Sequence, residues 1–379
     1  MYKWLIGCLF CLGFRPRKTK QPRKIIMKTG KTLQALALEL DRQQKTKKDY
    51  LADTGALSFS PTDKGIVLSG LNGNNYFLKD TAHEQIASSL NIPKKYYDRM
   101  LLDSPDLLAQ NANHWFVKQP EKRLVRTLDG SVRAFLSKSY RPLDNFDMAN
   151  TILPVLLDQG AEVISSELTD RRMYIKSIIP SLTREITGSV EKNDIVKAGI
   201  VISNSEIGLG SIRVEPLIYR LVCTNGLISN TAMRKYHVGK SNEFENVQEY
   251  FSNETRQLDD RAFWMKVKDI VLTAFNRDIF DSLVEKISAT TANQISTGAL
   301  DKVVEITTKK LSIVNEKSKS SILKHLIEGR DLSQWGLANA ITRTANDCEN
   351  YEHATELERS GGAVIELPKT EWEEISRAA

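Results

Sequence analysis

The sequence predicts an α+β protein: a central antiparallel sheet built from hairpins, flanked by an N-terminal helical segment and a C-terminal bundle of long helices. Three observations carry this. Apolar and polar residues alternate with a period of two between 121 and 222, in paired segments joined by turn residues. Beyond about 259 the apolar residues recur at helical spacing. Strands and helices do not alternate along the chain in the way that builds a parallel sheet.

Taken in order, Leu33, Leu36, Ala37 and Leu40 repeat at helical spacing within 32–48. Residues 50–80 are turn-rich and short-stranded, with Gly65, Gly70 and Asn72-Gly73. Thr81-x-x-Glu84 has the form of a capping box opening a helix through Leu90. Pro93 and Ser104-Pro105 suit two further helix starts. Asp129-Gly130 is a strong two-residue turn signal inside 123–138. A helix is expected near 145–158, then strands over 171–178, 195–204 and 211–219. Gly208-Leu209-Gly210 lacks the third glycine and the Lys-Ser/Thr of a phosphate loop, so 205–210 reads as a hairpin connection. Residues 220–227 are expected to lead into a helix capped by Thr224 or Asn225. Long helices follow over 260–289, 298–313, 318–328 and 332–358, stopped by Gly361-Gly362. A short strand at 363–367 and a helix capped at Thr370-x-x-Glu373 close the chain. The expected organisation is 1–26 as a leader, 27–120 helical with short strands, 121–258 as the antiparallel core and 259–379 as the helical region.

Charge is unevenly placed. Residues 1–32 hold nine of the 53 basic residues and no acid, leaving 44 basic against 47 acidic in the rest. Trp4 to Phe14 is apolar but too short to span a bilayer as a helix. It reads as a membrane-surface anchor, a signal sequence or an extension upstream of a start at Met27, the last being favoured. From Met27, 46 basic residues meet 47 acids, so bulk charge is no argument for nucleic acid. The four cysteines make no disulfide framework, and the five histidines show no metal-binding spacing. His114 reads as a core histidine. No catalytic motif emerges.

The candidate binding residues lie on two strand faces. A two-residue turn at Asp129-Gly130 sets Arg126 opposite Arg133, with Leu124 and Phe135 on the same face and Val125, Val132 and Ala134 on the other. Two opposed arginines repel and require something negative beside them. That is either a carboxylate from elsewhere in the fold or a phosphate backbone, with Phe135 as a stacking surface. Lys138 and Arg141 continue the basic line. In 171–178, Arg172, Tyr174 and Lys176 share one face, a basic–aromatic–basic pattern suited to single strands and also common on a solvated edge. A helix-turn-helix reading attaches to 85–97, where a short turn before Pro93 leads into Lys94-Lys95-Tyr96-Tyr97.

Several segments carry a resemblance. They are Met27-Lys-Thr-Gly-Lys-Thr-Leu, Ile92-Pro-Lys-Lys-Tyr-Tyr-Asp-Arg, the hairpin from Arg123 to Ser137, Tyr140-Arg-Pro-Leu-Asp-Asn and Arg220-Leu-Val-Cys-Thr-Asn-Gly-Leu. Trp335-Gly-Leu-Ala-Asn-Ala and the run from Tyr351 to Gly362 join them. Together they resemble the phage/plasmid-like proteins, a family known only as a domain of unknown function, from about 27 to 379. The resemblance implies a bacterial mobile element, phage, prophage or plasmid, and brings no catalytic residues. The resulting expectation is a non-enzymatic, cytoplasmic protein that binds nucleic acid, single-stranded DNA foremost, in replication or recombination. An analogy to RecT-type annealing proteins rests on fold alone. The alternative is a protein-interaction module such as a counter-defence factor gripping a host protein. A homo-oligomer is an expected partner, membrane contact only if 1–26 is translated, and no cofactor or metal is expected.

Overall fold

A computed structural model of the chain describes residues 30–210, 212–229, 253–296, 298 and 300–377. The leader, with Cys8 and Cys11, lies outside them. The architecture is α+β, as the patterning predicts, but the strands form two sheets. The first has six strands: β1 (Lys48–Asp53), β2 (Ser58–Thr62), β3 (Gly65–Leu71), β4 (Asn74–Leu78), β5 (Lys122–Leu128) and β6 (Ser131–Ser137), in the order β1-β5-β6-β4-β3-β2. The hairpin around Asp129-Gly130 therefore pairs with the N-terminal strands, and β4 meets β6 in parallel. The second sheet is a five-stranded antiparallel meander: β7 (Glu162–Leu168), β8 (Met173–Glu185), β9 (Ile195–Asn204), β10 (Arg213–Arg220) and β11 (Asn225–Ile228).

Helices cover both sheets. α1 (Leu33–Thr46) precedes β1, and α2 (Asp80–Ser89), α3 (Lys94–Asp103) and α4 (Pro105–Lys118) pack on the first sheet. Their core includes Ile86, Tyr97, Met100, Leu108 and Phe116 against Leu68, Val125, Val132 and Phe135. α5 (Asn145–Asp158) and α6 (Asn253–Ala274) join α1 on one face of the second sheet, against Met173, Ile175, Ile200 and Ile202. The remaining helices are α7 (Arg277–Thr290), α8 (Leu300–Lys310), α9 (Glu316–Gly329), α10 (Gln334–Thr344), α11 (Tyr351–Ile365) and α12 (Lys369–Arg377). They enclose a separate core around Trp335, Ile341 and Leu357 that reaches Val196, Ala198 and Ile218 of the sheet. No helix among the described residues is long and apolar enough to cross a membrane.

Several expected elements come out differently, each for a local reason. The helix expected over 260–289 breaks at Asn276, whose side chain accepts from the Asp278 N–H and starts α7 anew. The helix expected over 332–358 breaks likewise, with Asn350 capping α11 by accepting from the His353 N–H. The Thr81-x-x-Glu84 box does not form, because the helix already begins at Asp80 with Lys79 as its N-cap. Residues 225–228 are a strand rather than a helix start; Thr224, at φ 47°, closes a tight turn and sends the chain back along β10. His114 is exposed, not in the core.

Gly361 and Gly362 do not stop a helix. They lie inside α11, which runs on through the segment expected as a strand at 363–367. A Cβ at Gly362 would sit 1.9 Å from the Ile228 carbonyl oxygen, and one at Gly361 2.2 Å from Thr342 Cγ2. The glycines let α11 lie directly on β11 and α10, an approach no side chain permits. Gly362→Ala should therefore destabilise the fold by about 1–3 kcal/mol through overpacking against backbone, although alanine favours helix. Denaturant titration checks this, and an unchanged midpoint would show that α11 moves away at no cost.

Candidate nucleic-acid interface

The hairpin of β5 and β6 does not present the face expected of it. Thr127 pairs with Val132 as a two-residue turn requires, but Arg126 then pairs with Ala134 and Val125 with Phe135. A bulge at Arg133 inserts one residue and shifts every later side chain on β6 to the opposite face. Arg126 and Arg133 are therefore not opposed. Phe135 packs in the core with Val125 and Phe116, 2% exposed, and is no stacking surface.

Arg126 is fully buried. Its Nε donates to Asp49 Oδ1 at 2.9 Å, Nη1 to the Glu206 carbonyl at 2.7 Å and Nη2 to Asp144 Oδ1 at 2.7 Å. Burial opposes the charge on Asp144, but Arg126 and Lys47 beside it hold its carboxyl below the usual range. Arg133 Nη1 donates to Glu206 Oε2 at 2.5 Å, and Glu206 Oε1 also accepts from the Asn145 N–H at 2.6 Å. Carboxylates from β1, the N-cap of α5 and the β9–β10 connection thus fill the place a phosphate would need. Arg141 reaches Asp259 and Asp260 in the second turn of α6, and Lys138 lies exposed just past the end of β6.

On β8 the expected alternation holds: Met173 and Ile175 face one way, Tyr174 and Lys176 the other. The second face is not solvated, because α11 lies across it. Lys176, 1% exposed, is ion-paired with Glu358, 2% exposed, and its ammonium sits 4.8 Å from the Tyr351 ring centre. Burial pushes the Lys176 ammonium down and the Glu358 carboxyl up, each toward its neutral form. Tyr174 is 1% exposed, its ring 5.4 Å from that of Tyr351, and burial raises its phenol to about 12. Arg172 is half-buried and donates to the Leu209 carbonyl. The eight candidates do not assemble into one open basic–aromatic face.

A different cationic surface stays open. α2 and α3 form a two-helix unit whose turn passes through Asn91 at φ 54°. His83 Nδ1 lies 2.8 Å from the Tyr97 hydroxyl and ties the helices together; burial lowers that imidazole to about 4. With Tyr97 and Met100 inward, α3 turns Lys94, Lys95, Tyr96 and Arg99 outward, Tyr96 being 48% exposed. Their partners Asp98 and Asp103 lie on the same exposed helix, where such pairs are weak. A shallow hollow beside the turn is lined by Asn91, Trp115, Gln119 and Arg123, and Lys118 Nζ stands 5.2 Å from the centre of the Trp115 ring. The helix-turn-helix pattern in 85–97 was the sequence signal for this surface. Trp115 and Lys118 carried none.

A family model described as Domain of unknown function (DUF932) matches residues 134–346, more than half of the chain. The chain belongs to this family. The DUF932 segment starts inside β6 and ends just past α10, so it holds the whole second sheet with Arg172, Tyr174 and Lys176. Arg126, Arg133 and the α2–α3 unit fall on or before its N-terminal edge. No curated protein and no solved structure matches the chain. Among the described residues no group of three His, Cys, Asp or Glu side chains is placed to hold a metal ion.

The Lys176–Glu358 pair joins β8 to α11 in a dry site, which makes its removal asymmetric. Lys176→Met alone leaves a buried carboxyl without its partner and should cost about 3–5 kcal/mol, whereas Lys176→Met with Glu358→Leu should recover most of that loss. Urea unfolding of the three proteins checks it; equal stability of the single and double variants would contradict a dry pair.

Proposed function

We propose that this protein binds single-stranded nucleic acid without catalysing a reaction on it, through the outward face of α3 and the adjoining end of α4. The observation that carries this reading is the exposed Tyr96 set among Lys94, Lys95 and Arg99 on α3, with the half-buried Trp115, Lys118 over its ring, beside the α2–α3 turn at Asn91. Single strands are held by aromatic planes that stack bases and by cations that track the backbone, and this surface offers both. A bacterial mobile element as its setting is supported by the similarity of the quoted segments to phage/plasmid-like proteins, and a cytoplasmic location follows from that setting.

The test uses the full chain with labelled single- and double-stranded oligonucleotides at two salt concentrations. Affinity for the single strand should fall with salt by a log–log slope of about 0.7 per neutralised phosphate. Lys95→Ala with Arg99→Ala should weaken binding about tenfold or more and lower that slope, as expected when two phosphate contacts are lost. Both positions are exposed, so the thermal midpoint should stay put. No binding at low salt would sink the reading. A strong preference for one duplex sequence would point instead to α3 acting as a recognition helix in the major groove.

A further inference from the structure

One end of the second sheet gathers polar groups that the fold leaves without partners. On the face that α11 crosses, Tyr174 of β8 and Arg213 of β10 are both direct cross-strand neighbours of Ser203 on β9. Cross-strand neighbours point to the same face of a sheet, so the three side chains lie in one row. Arg172 precedes Tyr174 by two residues and joins them on that face. Ser203 is fully buried and its Oγ has no hydrogen-bond partner. Arg172 Nη1 is buried without a partner as well, while Nη2 is taken by the Leu209 carbonyl. Arg213, half-buried, has neither a carboxylate nor a hydrogen-bond partner among the described residues.

The nearby carboxylates are engaged elsewhere. Glu215 and Glu356 are both held by Arg359, at 2.7 and 2.6 Å, and Glu352 accepts from the Thr169 hydroxyl at 2.7 Å. Two guanidiniums therefore share a partly desolvated corner with an orphan hydroxyl, near enough for the Arg213 charge to act on Arg172. Burial and the charges of Arg213 and Arg359 press the Arg172 guanidinium below its usual basicity, though it stays protonated. Such an arrangement is unfavourable until an anion enters it. Arg172 and Arg213 both reach solvent, and the exposed Gly210 lies against the Arg172 guanidinium. A Cβ at Gly210 would sit 2.7 Å from Arg172 Nη2, and its φ of 129° is a backbone conformation that favours glycine.

We propose that Arg172, Arg213 and Ser203, with Tyr174 beside them, form a binding site for a phosphate group. A tetrahedral oxyanion presents several acceptors at once, enough for both guanidiniums and the hydroxyl. The site uses other residues than the face of α3 and does not rest on that reading. A free phosphate, a phosphorylated small molecule and a nucleic-acid backbone share this recognising chemistry.

Calorimetric titration of the full chain with inorganic phosphate, at ionic strength held constant with chloride, tests the proposal. One phosphate should bind per chain. Arg213→Gln should weaken that binding about tenfold or more, the loss of a charge-assisted contact, and Ser203→Ala by a smaller factor. In chloride alone Arg213→Gln should melt at the same temperature as the parent protein or higher, because it removes a like-charge contact. No response at about 10 mM phosphate, or equal affinity in parent and Arg213→Gln, overturns the proposal. A single-stranded oligonucleotide that competes with phosphate would identify backbone phosphate as the source. Phosphate binding unaffected by oligonucleotide would assign the site to a free or small-molecule phosphate.

Discussion

The two sheets are joined through one guanidinium. Arg126 stands on β5 of the first sheet, yet its contacts are Asp49 on β1, Asp144 at the start of α5 and the Glu206 carbonyl in the connection from β9 to β10. Each is a charge-assisted or fully buried contact, and together they use all three nitrogens of a side chain with no exposed surface. An arginine so placed leaves little choice: a missing partner would strand a buried charge at a cost of several kcal/mol. The segments bearing Asp49, Asp144 and Glu206 must therefore meet over β5. Arg133, through Glu206, and Gln85, which donates to the Ile207 carbonyl while accepting from the Phe135 N–H, extend the same junction. Since Glu206 also holds the first turn of α5, the orientation of α5 on the second sheet depends on it too.

This junction explains what the sequence could and could not disclose. The Arg126–Arg133 hairpin was legible as a place needing negative charge, because two arginines brought close by one short hairpin need compensation whether or not they are directly opposed. The identity of that charge was not legible. Asp49, Asp144 and Glu206 are separated by up to 157 positions in the chain, and nothing local marks them as a set. The bulge at Arg133 was equally silent. It has no glycine to announce it, and its consequence is that Phe135 belongs to the core.

Local signals did better where local forces decide. The helices at Leu33–Thr46, Pro105–Lys118 and Asn145–Asp158 follow from apolar spacing and proline placement. The two hairpin turns at Asp129-Gly130 and 205–210 follow from turn chemistry. The failures cluster where tertiary contact overrides such signals. Gly361-Gly362 carries every mark of a helix stop, but the space above Ile228 admits only glycine, so the pair serves close packing within α11. Likewise the alternation on β8 correctly separates two faces, while only the fold reveals that α11 buries the polar one.

The near balance of charge takes on meaning at this level. Beyond residue 32, where 44 basic residues meet 47 acidic ones, cations are informative by their partners rather than their number. Arg126, Arg133, Arg141 and Lys176 each meet carboxylates and hold elements together. Arg213 meets none, Arg172 keeps a buried N–H unanswered, and Lys95 stands exposed beside Tyr96. Desolvating a cation without compensation opposes folding, so Arg172 and Arg213 together are a local cost that the rest of the fold carries. A bound anion, as proposed, would relieve it. It acts on the native form alone and so adds directly to its stability. The structural cations set the architecture, and the uncompensated ones are where the proposed anion and nucleic-acid contacts would fall.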